Sequence, residues 1–67
     1  MEISARNQIQ GRVKSVSLGP VMAEVEVEID PTTITAAITA SSARRLGLEA
    51  GDAVVAIIKA TEVIIGK

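Results

Sequence analysis

The chain has 67 residues, is 48% apolar and carries a formal charge of −1 from seven basic and eight acidic side chains. It contains no cysteine, histidine, phenylalanine, tyrosine or tryptophan. Disulfides are therefore excluded, the usual ligands of a structural zinc are missing, and neither thiolate nor imidazole is present for catalysis.

This length allows a single domain over residues 1–67. A chain so short buries only about 60% of the surface it exposes when unfolded, and such domains usually rely on disulfides, a metal or oligomerisation. With the first two removed, self-association is the expectation. Missing aromatics leave no platform for stacked bases, and a slightly acidic chain lacks the basic footprint of a nucleic-acid partner. No apolar run approaches the roughly 18 residues of a membrane span, and no signal peptide precedes Ser4. A soluble, cytoplasmic protein with no membrane partner is expected.

In chain order, a polar opening, Ser4-Ala5-Arg6-Asn7-Gln8, leads into a first stretch with Ile9, Gly11 and Val13 on one face. Val16 and Leu18 then fall on the other parity, so one extra residue near Lys14-Ser15, a β-bulge or strong bend, is needed to restore register. After the breaker Leu18-Gly19-Pro20 comes strict alternation. Val21, Ala23, Val25, Val27 and Ile29 line one face, while Met22, Glu24, Glu26, Glu28 and Asp30 line the other. Period two over ten residues predicts a half-buried strand. Asp30-Pro31-Thr32 breaks the chain again, and residues 33–39 form a third, less sharply alternating strand.

Residues 41–48 depart from the β pattern. A serine N-cap, helix formers and the Gly47 stop predict a helix of about two turns. Beyond the turn Glu49-Ala50-Gly51-Asp52, residues 53–58 are apolar on both parities, which calls for a second covered surface: either a loop or helix folded over the strand or, favoured by the self-association argument, a subunit interface. Val63-Ile64-Ile65 is expected as a fifth strand. Val, Ile and Thr supply 22 of the 67 residues, a composition suited to pleated sheet. The order of three strands, a helix and two strands is that of an all-β, five-stranded OB-like barrel with a short helix between strands 3 and 4.

Eight carboxylates invite an acid–base or cation-binding role. Glu24, Glu26, Glu28 and Asp30 lie about 7 Å apart along one strand face, which reads instead as a solvated face that discourages wrong pairing. No calcium-type loop accompanies them, and no enzyme is expected. The few basic residues are more telling. Arg6 sits just before the first strand and Lys59 just after the fourth, each with hydroxyl neighbours. Cations, hydroxyls and fixed backbone N–H groups form the donor set of a small tetrahedral oxyanion, and Ser41 and Ser42 at the helix start add further donors.

At these residues the chain resembles the Mop domain of the molbindins and the related TOBE domain. The resemblance runs from Ser4-Ala5-Arg6-Asn7-Gln8-Ile9, Gly11, Val13 and Val16 through Ala23-Glu24-Val25, Ile38-Thr39, Leu46-Gly47-Leu48 and Gly51-Asp52 to Ile58-Lys59-Ala60-Thr61-Glu62-Val63. It implies an OB-like barrel assembled as a homohexamer, a trimer of dimers, binding molybdate or tungstate between subunits with no cofactor. Carried over by position, the anion ligands are Ser4, Arg6, Lys59 and Thr61. Ala5 and Ala60 offer backbone N–H groups, and Ser42 comes from a neighbouring subunit. Thr61 stands where many relatives have serine and keeps the hydroxyl. A second site at the turn after the first strand would fall on Gly19, Val21 and Met22, although Pro20 removes one N–H there.

The leading expectation is a free-standing oxyanion-binding protein for storage or homeostasis. A regulatory anion-sensing module acting with a molybdate transporter or transcriptional regulator is the alternative; those modules sit on longer chains with a nucleotide-binding loop or helix-turn-helix, and a pull-down would discriminate. A small OB-type nucleic-acid binder is a third reading, opposed by the missing aromatics and the acidic second strand.

Overall fold

A computed structural model describes residues 2–67, and Met1 lies outside the described residues. Four antiparallel strands, β1 (Asn7–Leu18), β2 (Met22–Ile29), β3 (Thr32–Thr39) and β4 (Ala53–Ile58), form one sheet in the order β3-β2-β1-β4. A helix, α1 (Ala40–Leu46), joins β3 to the loop before β4.

The twelve residues of β1 serve two neighbours in turn. Asn7–Arg12 pair with β4 and Arg12–Leu18 pair with β2. The slip in hydrophobic phase appears as a register shift between Val13 and Ser15, with Val13 opposite Val27 and Ser15 opposite Glu26. Lys14 is the extra residue, so Val13 and Val16 both face inward. At this bulge Val13 is held by the loop before β4. Its N–H donates to the Asp52 carbonyl at 2.9 Å, and its own carbonyl accepts from Gly51 N–H at 2.8 Å.

The alternation is realised over Met22–Ile29 as predicted, whereas Val21, expected on the apolar face, precedes the strand and is 70% exposed. Ala23, Val25 and Val27 are buried, Glu24 and Glu28 are exposed, and Ser15 Oγ donates to Glu26 Oε1 at 3.2 Å. Val13, Val25 and Val27 centre a small aliphatic core, completed by half-buried residues such as Val16, Ile34, Ile38, Leu48 and Val54. With no aromatic ring to fill space, this core stays thin, and the curled sheet leaves an apolar trough of about 1260 Å³ along its inner face. Both parities of β4 are apolar: Val54, Ala56 and Ile58 are half-buried, Val55 and Ile57 are exposed, and all five border that trough.

Two expectations are corrected. The helix is not capped by a serine at its first residues but by Thr39, the last residue of β3. Thr39 Oγ1 accepts from Ser42 N–H at 3.0 Å and donates to Ser42 Oγ at 2.8 Å. Helix formation therefore begins two residues earlier than Ser42, because the extended backbone of Thr39 (φ −68°, ψ 147°) already has cap geometry. The second concerns the fifth strand. A 3₁₀ turn over Ala60–Glu62 follows β4, and Val63, Ile64 and Ile65 beyond it lie outside the sheet with 48%, 91% and 84% of their surface exposed. Three residues form too few ladder bonds within one chain to offset the cost of ordering them. The single chain is thus an all-β, four-stranded antiparallel sheet with one short helix.

The stop of α1 is as predicted. Gly47 adopts φ 61°, ψ 39°, its N–H donates to the Arg44 carbonyl at 3.0 Å, and Leu48 N–H reaches the Ala43 carbonyl at 3.2 Å. These paired bonds form a Schellman cap. Nothing lies within 4 Å of a Cβ added at Gly47, so Gly47→Ala carries only the backbone cost of the left-handed conformation, about 1–2 kcal/mol. A fall of roughly 4–8 °C in Tm per kcal/mol is expected, read by thermal unfolding of the unliganded protein.

Candidate functional site

The register of β1 against β4 builds the site. Asn7 is paired with Ile58 at the end of the ladder, so the next residues outward, Arg6 and Lys59, leave the sheet side by side despite their separation in sequence. Ser4, Ala5, Arg6, Lys59, Ala60 and Thr61 together line a recess of about 290 Å³, at the small end of ligand sites. Six of the seven residues expected at the principal site thus converge. The lining carries two cations, two hydroxyls and two alanines, with no carboxylate among them. Its formal charge of +2 matches a dianion.

The two segments that form the recess are locally constrained. Gln8 Nε2 donates to the Ala5 carbonyl at 2.7 Å, folding the opening segment back on itself. Asn7 Nδ2 donates to the Ile58 carbonyl at 3.0 Å, tying the start of β1 to the end of β4. On the closing side the first bond of the 3₁₀ turn runs from Glu62 N–H to the Lys59 carbonyl at 2.9 Å. The N–H groups of Ala60 and Thr61 precede that bond, so the turn itself does not use them. Backbone donors, hydroxyl donors and two cations at one edge can replace much of the hydration of a small oxyanion without making or breaking a covalent bond.

Ser42 is not part of this recess. It lies half-buried in the first turn of α1, where its N–H and hydroxyl are both engaged with Thr39. The turn residues Gly19, Val21 and Met22 are also elsewhere, at the hairpin between β1 and β2. There Gly19 N–H is committed to the Met22 carbonyl at 2.8 Å, and the Val21 carbonyl accepts from Ala40 N–H at 2.7 Å. A Cβ at position 19 would stand 2.9 Å from the Met22 carbonyl oxygen, so glycine is required by this close approach. Sequence reading assigned no role to the side chains of Asn7 and Gln8, although both lie within the opening motif; only the fold shows which carbonyls they reach.

The fold and the recess define a small all-β domain, a four-stranded antiparallel sheet with one short helix, whose edge between β1 and β4 is lined by two cations and two hydroxyls and carries no carboxylate. The TOBE domain family matches residues 3–65, and the chain belongs to that family, in its molbindin (Mop) branch. It is 44% identical over 66 residues to "Molybdenum-pterin-binding protein 3" of Clostridium pasteurianum, covering 97% of each chain. It superposes on a molybdate-binding protein from Sporomusa ovata with a TM-score of 0.95, at 42% identity and 100% coverage of both. The molybdate-bound cytoplasmic protein ModG is similar over 96% of this chain and 46% of its own, at 40% identity and a TM-score of 0.89. Among the described residues no helix is long and apolar enough to cross a membrane.

Proposed function

We propose that the protein is a cytoplasmic molybdate- or tungstate-binding protein that stores or buffers the oxyanion without catalysis. One observation carries this reading: the opening and closing motifs, at opposite ends of the chain, meet in a single recess lined by Ser4, Ala5, Arg6, Lys59, Ala60 and Thr61. The full-length similarity to a molybdate-binding protein supports the choice of anion. In this reading Arg6 and Lys59 offset the charge of the dianion. Ser4 and Thr61 donate through their hydroxyls, and Ala5 and Ala60 through their backbone N–H groups.

Assembly completes the proposal. Val55, Ile57 and the 63–65 segment leave apolar side chains exposed on the single chain, and covering them suits a homohexamer built as a trimer of dimers. Within it, segment 63–65 would serve as the fifth strand of an OB-like barrel, and Ser42 of a neighbouring copy would close the recess. The turn at Gly19, Val21 and Met22 is retained only as a second anion contact, because Gly19 N–H is already bonded and Pro20 has none.

Native mass spectrometry of the whole protein with molybdate, tungstate and sulfate in turn tests both parts, because it counts subunits and bound anions together. A hexamer that takes up molybdate and tungstate is the expected result. Failure to retain either anion would overturn the functional reading, and a monomer at micromolar concentration would overturn the assembly.

A further inference from the structure

The opening motif Ser4-Ala5-Arg6-Asn7-Gln8 gives its first three residues to the recess, whereas the last two each grip a backbone carbonyl. The two carbonyls have something in common. Gln8 holds that of Ala5, and Asn7 holds that of Ile58. Each belongs to the peptide unit that supplies the N–H of one of the two cationic residues, Arg6 or Lys59. A peptide is planar and trans, so fixing the carbonyl fixes the plane from which the Arg6 or Lys59 backbone, and with it the cationic side chain, departs; the Ala5 and Ala60 N–H groups lie in the peptides immediately flanking these two.

Resting on the oxyanion-binding reading above, we propose that Asn7 and Gln8 are positioning residues of the anion site. Gln8 sets the peptide that enters Arg6. Asn7 sets the peptide that enters Lys59 and also holds the two halves of the recess at one separation, since its bond spans 51 residues of sequence. Neither side chain touches the anion. Gln8 is exposed, and its bond reaches back only three residues. Such a contact adds little to global stability, yet it determines how the Ala5–Arg6 peptide faces. Arg6 and Lys59 held on the two sides at a defined spacing favour one size of tetrahedral oxyanion, whereas cations free to adjust accept a smaller one nearly as well. The two amides therefore contribute to affinity and, more distinctively, to discrimination between molybdate and the smaller sulfate.

The test is calorimetric titration of the intact oligomer with molybdate and with sulfate, alongside Tm without anion. Asn7→Ala is expected to weaken molybdate binding about tenfold and Gln8→Ala about threefold. In both, the ratio of molybdate to sulfate affinity is expected to fall, while the unliganded Tm moves by only a few degrees. Should Asn7→Ala fail to fold, Gln8→Ala carries the same test from an exposed position. Arg6→Ala in the same series separates the two levels of the argument. If the native protein binds molybdate, Arg6→Ala does not, and both amide variants keep native affinity and selectivity, the positioning role falls while the site stands. A lowered Tm with unchanged affinity and selectivity would reduce both amides to structural contacts and overturn the inference. If the native protein binds none of these anions, the site and its positioning residues fall together.

Discussion

Arg6→Ala is expected to remove most of the thermal stabilisation that molybdate confers on this protein. Anion present at 100 times its dissociation constant stabilises the folded state by about 2.7 kcal/mol per site. For a domain of this size each kcal/mol raises Tm by roughly 4–8 °C, so a shift of about 11–22 °C is expected for the native chain. Arg6 lines the recess with Lys59, and a guanidinium can present two parallel donors to adjacent oxygens of a tetrahedral anion, which an ammonium cannot. Losing a charged hydrogen bond of about 1.5–3 kcal/mol weakens binding by one to two orders of magnitude. At the same molybdate concentration a hundredfold loss leaves only about 0.4 kcal/mol of stabilisation. Lys14→Ala is the control, because it removes the same charge from the bulge in β1, outside the recess. Differential scanning calorimetry of the three proteins with and without anion makes the comparison, and a full shift in Arg6→Ala would refute the assignment.

Gly11→Ala should be the most damaging single-methyl change in the fold. A Cβ built there would lie 2.7 Å from Val27 Cγ1, 2.9 Å from the Glu28 carbonyl oxygen and 3.2 Å from Ile29 Cγ1. The carbonyl belongs to a strand locked on both sides by β1 and β3, and Val27 is only 5% exposed, so neither can retreat without disturbing the core. Overpacking of this kind costs about 1–3 kcal/mol, which corresponds to a fall in Tm of at least 4 °C. Gly11 also lies in the stretch of β1 paired with β4, the ladder that brings Arg6 beside Lys59. Reduced anion affinity should therefore accompany reduced stability. Thermal unfolding and titration of the same sample would show both, and an unchanged Tm would mean that β1 does not cross β2 this closely.

Where local rules dominate, the sequence was readable residue by residue. The parity break at Lys14-Ser15 identifies the bulge, since a one-residue insertion is the only way to keep both Val13 and Val16 inside. Gly47 marks the helix stop because only glycine enters the left-handed region without a steric cost. The helix start was misplaced for an equally local reason. Thr39, Ser41 and Ser42 are all competent caps, and the choice fell to Thr39, whose extended backbone β3 had already set. Val63-Ile64-Ile65 shows the opposite limit. Its β propensity is plain, yet propensity does not supply a partner strand, and within one chain the segment stays outside the sheet.

The same division holds for the site. Arg6 and Lys59 stood out from the sequence alone because basic residues are scarce and these two fall at the margins of apolar strands, and the motif resemblance supplied the expectation of molybdate. Composition by itself excluded thiol and imidazole chemistry and pointed to assembly. Tertiary structure decided what lies close to what. The Asn7–Ile58 register brings residues 4–6 and 59–61 into one recess, leaves Ser42 and the Gly19 turn away from it, and gives the Asn7 and Gln8 amides their carbonyl partners. Residue types and periodicity are short-range properties, legible in a window of a few residues. The meeting of the two ends of the chain depends on which strands share an edge and in what register, and the long-range packing of the sheet alone settles that.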